Sequence, residues 1–333
     1  MNFAPFRALK HLAATAAAIG LGACGGGGSD AGTTPTIDTA QRSLAATTTA
    51  TNHSACSAVR PFYWEIGNSA GAMASASVNA TGSATSYDAS TVMNIASASK
   101  WLYGAYVVER RGAAGLSASD IKFLHFRSGF TSFTSCQPGQ TVGSCATAAS
   151  NGVYTAATDG KYLYDGGHMQ VHASLMGLDA LDNATLAAEM ETQLGSDVDI
   201  AYSQPQLAGG VRTSAANYAR YLRKLLGGQL RMGAALGSQA VCTNPVTCSG
   251  ALGTPVPLNE SWSYALGHWV ETDPAVGDGA FSSAGAFGFY PWVDSGKRFY
   301  GIVARQDLQS GSGFDSAFCG RLIRKAWLTG VAQ

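Results

Sequence analysis

The sequence predicts an α/β (α+β) fold: one antiparallel sheet formed from both chain ends and flanked by helices, with a mainly helical middle. Three observations carry this. Apolar, β-prone segments cluster near residues 60–80 and again after residue 260, helical patterns fill the middle, and a last helix closes the chain. The first segments, "RPFYWEIG" and "GAMASASVNA", read as a hairpin with Gly-containing turns. From Ser97, "SASKWLYGAYVVERRG" is apolar nearly all round and stops at Arg110, Arg111 and Gly112, the pattern of a buried helix. Residues 115–155 are loop-rich. "MQVHASLMGLDAL" and "TSAANYARYLRKLLGG" read as helices, the latter with Thr213 as N-cap and a Gly pair as its stop. "SYALGHWVE", "GAFGFYPWVD" and "RFYGIVARQ" return to strand, and "SAFCGRLIRKAWLTG" is the closing helix. Residues 56–92 and 255–333 are therefore assigned to the sheet domain, and residues 93–254 to the helical one.

With 333 residues, 46% of them hydrophobic and only 13% charged, the chain can bury a substantial core. The 21 basic and 21 acidic side chains cancel and form no basic block, so nothing points to a nucleic-acid partner. The first 24 residues read as an export signal. Arg7, Lys10 and His11 precede "LAATAAAIGLGAC", an apolar run too short to span a bilayer. Its end, Leu21-Gly22-Ala23-Cys24, resembles a bacterial lipobox, which implies lipidation of Cys24, an outer-membrane location facing periplasm or exterior, and no other membrane contact; the alternative is an ordinary signal peptide and a secreted protein. Residues 25–55 hold almost no large apolar side chain and read as a flexible linker.

Of seven cysteines, Cys24 leaves six in an oxidising compartment. Cys136 with Cys145 and Cys242 with Cys248 are short-range pairs across loops, which leaves Cys56 and Cys319 near the two ends. No C-x-x-C spacing supports zinc, and His125, His168, His172 and His268 are scattered, so neither metal nor cofactor is expected.

Two serines compete as nucleophile. Gly67-Asn68-Ser69-Ala70-Gly71 is a literal G-x-S-x-G, but too few strands precede it for a nucleophile elbow, and a hairpin turn explains it. Ser97 and Lys100 lie three apart at a helix start and share one face. A buried lysine loses its charge readily enough to take the serine proton, and the helix N-terminus aims N–H groups at developing negative charge. Alone, S-x-x-K is a weak pattern in a Ser-rich chain.

"STVMNIASASKWLYGAYVVE" resembles the nucleophile segment of the β-lactamase-related serine hydrolases, the group of class C β-lactamases, family VIII esterases, D-alanyl-D-alanine peptidases and 6-aminohexanoate-dimer hydrolases. "FLHFRSGF", "LYDGGHMQ", "QLAGGVRTSAANYARYLRKLLGG", "YALGHWVE" and "FSSAGAFGFYPWVD" follow in the family's order, from about residue 60 to 325. The resemblance implies a β-lactamase/transpeptidase-like fold with Ser97 as acylated nucleophile, Lys100 as its base and Tyr164, rather than Tyr162, as proton shuttle. It implies an oxyanion hole from the N–H groups of Ser97 and Ala286, and substrate contacts at Gly166, Ser283 and Gly285, with His168 bordering the site. It also implies that Cys56 pairs with Cys319, since first strand and last helix share a sheet.

Two departures bear on substrate. Gly166 stands where the family has the asparagine of Y-x-N, and Ser283 where it has a cationic or aromatic residue. The sequence thus implies a monomeric serine hydrolase of small carboxylic esters or amides. The alternatives are a D-alanyl-D-alanine peptidase, a weak β-lactamase, or a penicillin-recognising module without catalysis. Arg212 or Arg305 is the candidate replacement cation.

Overall fold

The computed structural model describes residues 37–309 and 311–333. The signal segment, Cys24 and the first part of the linker lie outside them. The described chain is built on an eight-stranded sheet. In spatial order its strands are Gly71–Val78, Phe62–Asn68, Tyr300–Ala304, Tyr290–Val293, Phe281–Ser282, His268–Val270, Ser263–Ala265 and Val241–Cys242. Every pairing is antiparallel. The sheet thus joins both chain ends, as the strand pattern implies, and gains its last strand from within the segment read as helical.

The first hairpin turns at Asn68–Gly71, where the Asn68 carboxamide oxygen accepts from the N–H groups of Ala70 and Gly71. Ser69 therefore sits in a hairpin turn and not at a strand-to-helix elbow. Its central strand is buried on both faces, which explains the unbroken run Phe62, Tyr63, Trp64.

The central helix, Ser99–Arg111, follows a 3₁₀ turn over Ala96–Ala98 and is buried from Ser99 to Val108. Its apolar circumference lets it run through the core between sheet and helices. It meets the sheet closely at Gly104, where a Cβ would overlap the Leu266 carbonyl. Leu266 and Gly267 form the tight turn of the Ser263–Val270 hairpin, both at positive φ. The helix Ala215–Leu226 packs alongside, its Tyr218 and Tyr221 hydroxyls donating to the Ala98 and Trp101 carbonyls.

Several elements differ from the sequence expectation. Residues Thr39–Asn52 are a helix, not linker, and the folded part begins before Cys56. Asp38 caps the helix, and Ala45, Ala46 and Ala50 give it a smooth buried face. Arg42 then donates to the carbonyls of Trp327 and Leu328 at the end of the closing helix, Ser312–Thr329. Helix propensity and close small-residue packing replace bulky side chains here. The N-cap of Ala215–Leu226 is Ser214, whose side chain accepts from the Asn217 N–H, and not Thr213. The helix Asn183–Leu194 was not legible because its buried stripe is only Leu186, Met190 and Leu194.

The three disulfides join Cys56 to Cys319, Cys136 to Cys145, and Cys242 to Cys248. Cys56–Cys319 closes a loop of 263 residues and ties the first strand's approach to the closing helix. Loop-closure entropy sets an upper figure of about 5 kcal/mol for such a link. The double variant Cys56→Ser/Cys319→Ser should therefore lose up to about 5 kcal/mol of unfolding free energy, read as a lower urea midpoint than that of the oxidised protein. An unchanged midpoint would show that the ends are held without it.

Candidate active site

Ser97 sits at the mouth of a cleft because the backbone just before it is bent. Ala96 has φ +44°, in the left-handed region that side-chain-bearing residues rarely enter. Neighbours hold that turn. The Ile95 N–H donates to the Val211 carbonyl. The buried Ser99 hydroxyl donates to the Ala96 carbonyl at 2.7 Å and accepts from the Val211 N–H at 3.2 Å. Ser99 thus joins the turn to the strand Val211–Thr213, a role the sequence did not signal.

Lys100 lies one helical turn on, and its ammonium nitrogen is 2.9 Å from Ser97 Oγ and 2.7 Å from the Ala208 carbonyl oxygen. The side chain is only 5% exposed. Burial lowers its pKa to about 7, against a smaller opposing pull from Asp165. Tyr164 lines the same cleft as Ser97, and burial holds its phenol proton far above the ordinary range. Trp269 stacks on the Tyr164 ring at 5.3 Å, Phe126 meets its edge at 5.2 Å, and Lys100 Nζ lies 4.8 Å from the ring centre. Serine, lysine and tyrosine thus meet in one cleft: a hydroxyl, an amine that loses its charge near neutrality, and a phenol that stays protonated.

The segment after Phe281–Ser282 closes the other side. The Ser283 hydroxyl donates to the Ser97 carbonyl at 3.1 Å. A Cβ on Gly285 would overlap the Ile95 carbonyl, so only glycine lets this segment reach the nucleophile turn. Ala286 lines the cleft with Ser97, and neither residue's N–H has a hydrogen-bond partner among the described residues. Two free amides beside one hydroxyl can receive an oxyanion.

Four expectations change. His168 does not border the site. It is fully buried, with Nδ1 at 2.6 Å from the Ser128 hydroxyl and Nε2 at 3.0 Å from the Leu163 carbonyl, and burial lowers its pKa to about 4. It is a neutral strut under the segment carrying Tyr164. Gly166 is not among the residues lining the cleft, because Phe133 packs where a side chain would go, 3.0 Å from a Cβ placed there. Ser283 and Gly285 hold the nucleophile turn and leave the cleft wall to Ala284 and Ala286. Arg305 is committed elsewhere, to Ser316, the Val59 carbonyl and Asp307, and Arg212 lies outside the cleft lining. The cleft has two lobes, of about 420 and 310 Å³, and among the described residues Lys100 is the one charged side chain lining either.

No protein-family model matches the chain, and no curated protein matches it by sequence. Solved structures do. The D-amino acid amidase from Ochrobactrum anthropi SV3, complexed with L-phenylalanine, aligns with a TM-score of 0.62 and 9% identity over 86% of this chain and 98% of its own. EstCE1, a hydrolase with promiscuous acyltransferase activity, aligns at 0.62 and 11% identity over 88% of this chain and 100% of its own. Simvastatin synthase from Aspergillus terreus aligns at 0.59 and 13% identity over 87% and 96%. The chain has the β-lactamase/transpeptidase-like fold of this group of serine enzymes.

If Ser97 is the nucleophile, Ser97→Ala should reduce ester turnover by at least about a thousandfold and leave the unfolding midpoint in place. Activity within tenfold of wild type would remove Ser97 from that role.

Proposed function

We propose that the protein is a serine hydrolase that cleaves carboxylic esters or small amides through an acyl-enzyme on Ser97. The observation that carries this is the buried Lys100 amine at 2.9 Å from Ser97 Oγ. Neutral Lys100 accepts the Ser97 proton as Oγ attacks the carbonyl carbon, and the oxyanion forms against the N–H groups of Ser97 and Ala286. Tyr164 gives its proton to the departing oxygen or nitrogen and regains one through Lys100. Water then attacks the acyl-enzyme, losing a proton to the same pair, and Ser97 is released. The Ala208 carbonyl and Asp165 fix and tune Lys100, in place of the amide absent at Gly166. The sequence further supports export with a lipid anchor on Cys24, which loss of labelled fatty acid in Cys24→Ser would test.

The pH dependence follows from Lys100. Only the neutral amine is a base, so kcat/KM should rise about tenfold per pH unit below pH 7 and level off above it. Asp165 raises the Lys100 pKa, so Asp165→Asn should move this limb to lower pH. A flat profile across neutrality, or a limb that moves upward, would contradict the role of Lys100.

An uncharged substrate suits the cleft, because the one cation lining it among the described residues is occupied by Ser97 and Ala208. A charge-assisted hydrogen bond to a substrate carboxylate is worth about 1.5–3 kcal/mol, roughly ten- to a hundredfold. Short-chain phenyl or p-nitrophenyl esters should therefore exceed nitrocefin and D-Ala-D-Ala peptides in kcat/KM by about a hundredfold. Efficient nitrocefin turnover with poor ester turnover would move the protein among the penicillin-recognising enzymes.

A further inference from the structure

The two lobes of the cleft meet at Ser97 and differ in chemistry. The larger lobe is walled by Pro255, Trp269, Phe287, Leu308 and Phe314, and Tyr164 lines it too. The smaller lobe is walled by Asn94, Ser203, Gln204 and Gln206 together with Lys100. Phe287 lines both and divides them, its carbonyl held at 2.8 Å by the Asp307 N–H.

Three amide side chains of the smaller lobe have spare capacity. Asn94 Oδ1 is buried and has no hydrogen-bond partner among the described residues. A buried acceptor without a donor is unfavourable until one arrives. Gln204 and Gln206 are half-buried, and their side-chain amides make no hydrogen bond among the described residues. Tyr164 settles which side of the scissile bond each lobe receives. The group that protonates the leaving atom must stand beside it, and Tyr164 lines the apolar lobe. The leaving group therefore exits through the apolar lobe, and the acyl chain lies in the polar one.

We propose, resting on the serine-hydrolase reading above, that the Asn94–Gln204–Gln206 lobe is an acyl subsite for uncharged acyl chains carrying a hydroxyl or amide N–H close to the scissile carbonyl. The half-buried Gln204 and Gln206 amides, which line the lobe, bind that donor and the polar atoms beside it. The matching leaving group is an apolar or aromatic alcohol or amine. An acyl carboxylate is disfavoured, because Lys100 is already engaged and no second cation among the described residues lines the lobe.

The test compares two esters with one leaving group, phenyl butyrate and phenyl 3-hydroxybutyrate, which differ by a single hydroxyl on the acyl chain. Wild type should favour the hydroxy ester in kcat/KM by about tenfold, the scale of one well-made hydrogen bond. Gln204→Leu and Gln206→Leu, assayed separately, should each bring the ratio of the two esters toward one, whatever happens to absolute rates. Both glutamines have half-buried side chains that make no hydrogen bond among the described residues, so either variant decides the matter if the other fails to fold. A wild-type ratio of one or below overturns the subsite and leaves the serine-hydrolase reading standing when both esters turn over. A ratio unchanged in the variants overturns it likewise. No turnover of either ester, with Ser97 unlabelled by a fluorophosphonate, overturns both.

Discussion

An amine deprotonates near neutrality only if something makes its charged form costly, and in this protein that is removal from water. Lys100 is buried at the start of a helix that is itself enclosed on every side. Its nitrogen meets one hydroxyl, one backbone carbonyl and the face of a tyrosine. None of these contributes a full negative charge, and Asp165 offsets the burial only in part. The balance leaves a base beside Ser97. A carboxylate in direct contact would hold the ammonium charged and idle.

Much of the surrounding architecture serves that burial. The apolar circumference of Ser99–Arg111 requires a sheet on one side and helices on the other. Gly104 brings helix and sheet hairpin together, and Gly285 brings the last wall of the cleft against the nucleophile turn. The left-handed Ala96 then exposes Ser97 while the residues on either side stay buried. Ser99, Ser283, Tyr218 and the strand Val211–Thr213 all bond to the same short stretch of backbone. A strained turn persists because its surroundings over-determine it.

The parts of this site legible in sequence are those written in side chains at fixed local spacing, Ser97 with Lys100 above all, together with the C-terminal strands and the short-range pairs Cys136–Cys145 and Cys242–Cys248. Tyr164 and the pairing of Cys56 with Cys319 were readable only through the family resemblance. Contributions from distant backbone were not legible. The Ala208 carbonyl that receives Lys100 comes from 108 residues away and has no side-chain signature. Phe133 beneath Gly166 comes from a loop-rich stretch with no periodicity, so the missing asparagine could be read but not what replaces it. His168 was misplaced because a histidine beside a catalytic tyrosine in sequence points, on a helix, into the core. The helix Thr39–Asn52 was missed because alanine packing leaves little hydrophobic signal.

The central claim is that burial brings Lys100 to a neutral state at ordinary pH. Proton titration followed by NMR on protein labelled at lysine Cε, with Lys100→Arg used to assign the signal, reads this without any substrate. Lys100 should titrate near pH 7. A midpoint near the ordinary lysine value of 10.5 would contradict the account, because the amine would then be charged and unable to activate Ser97.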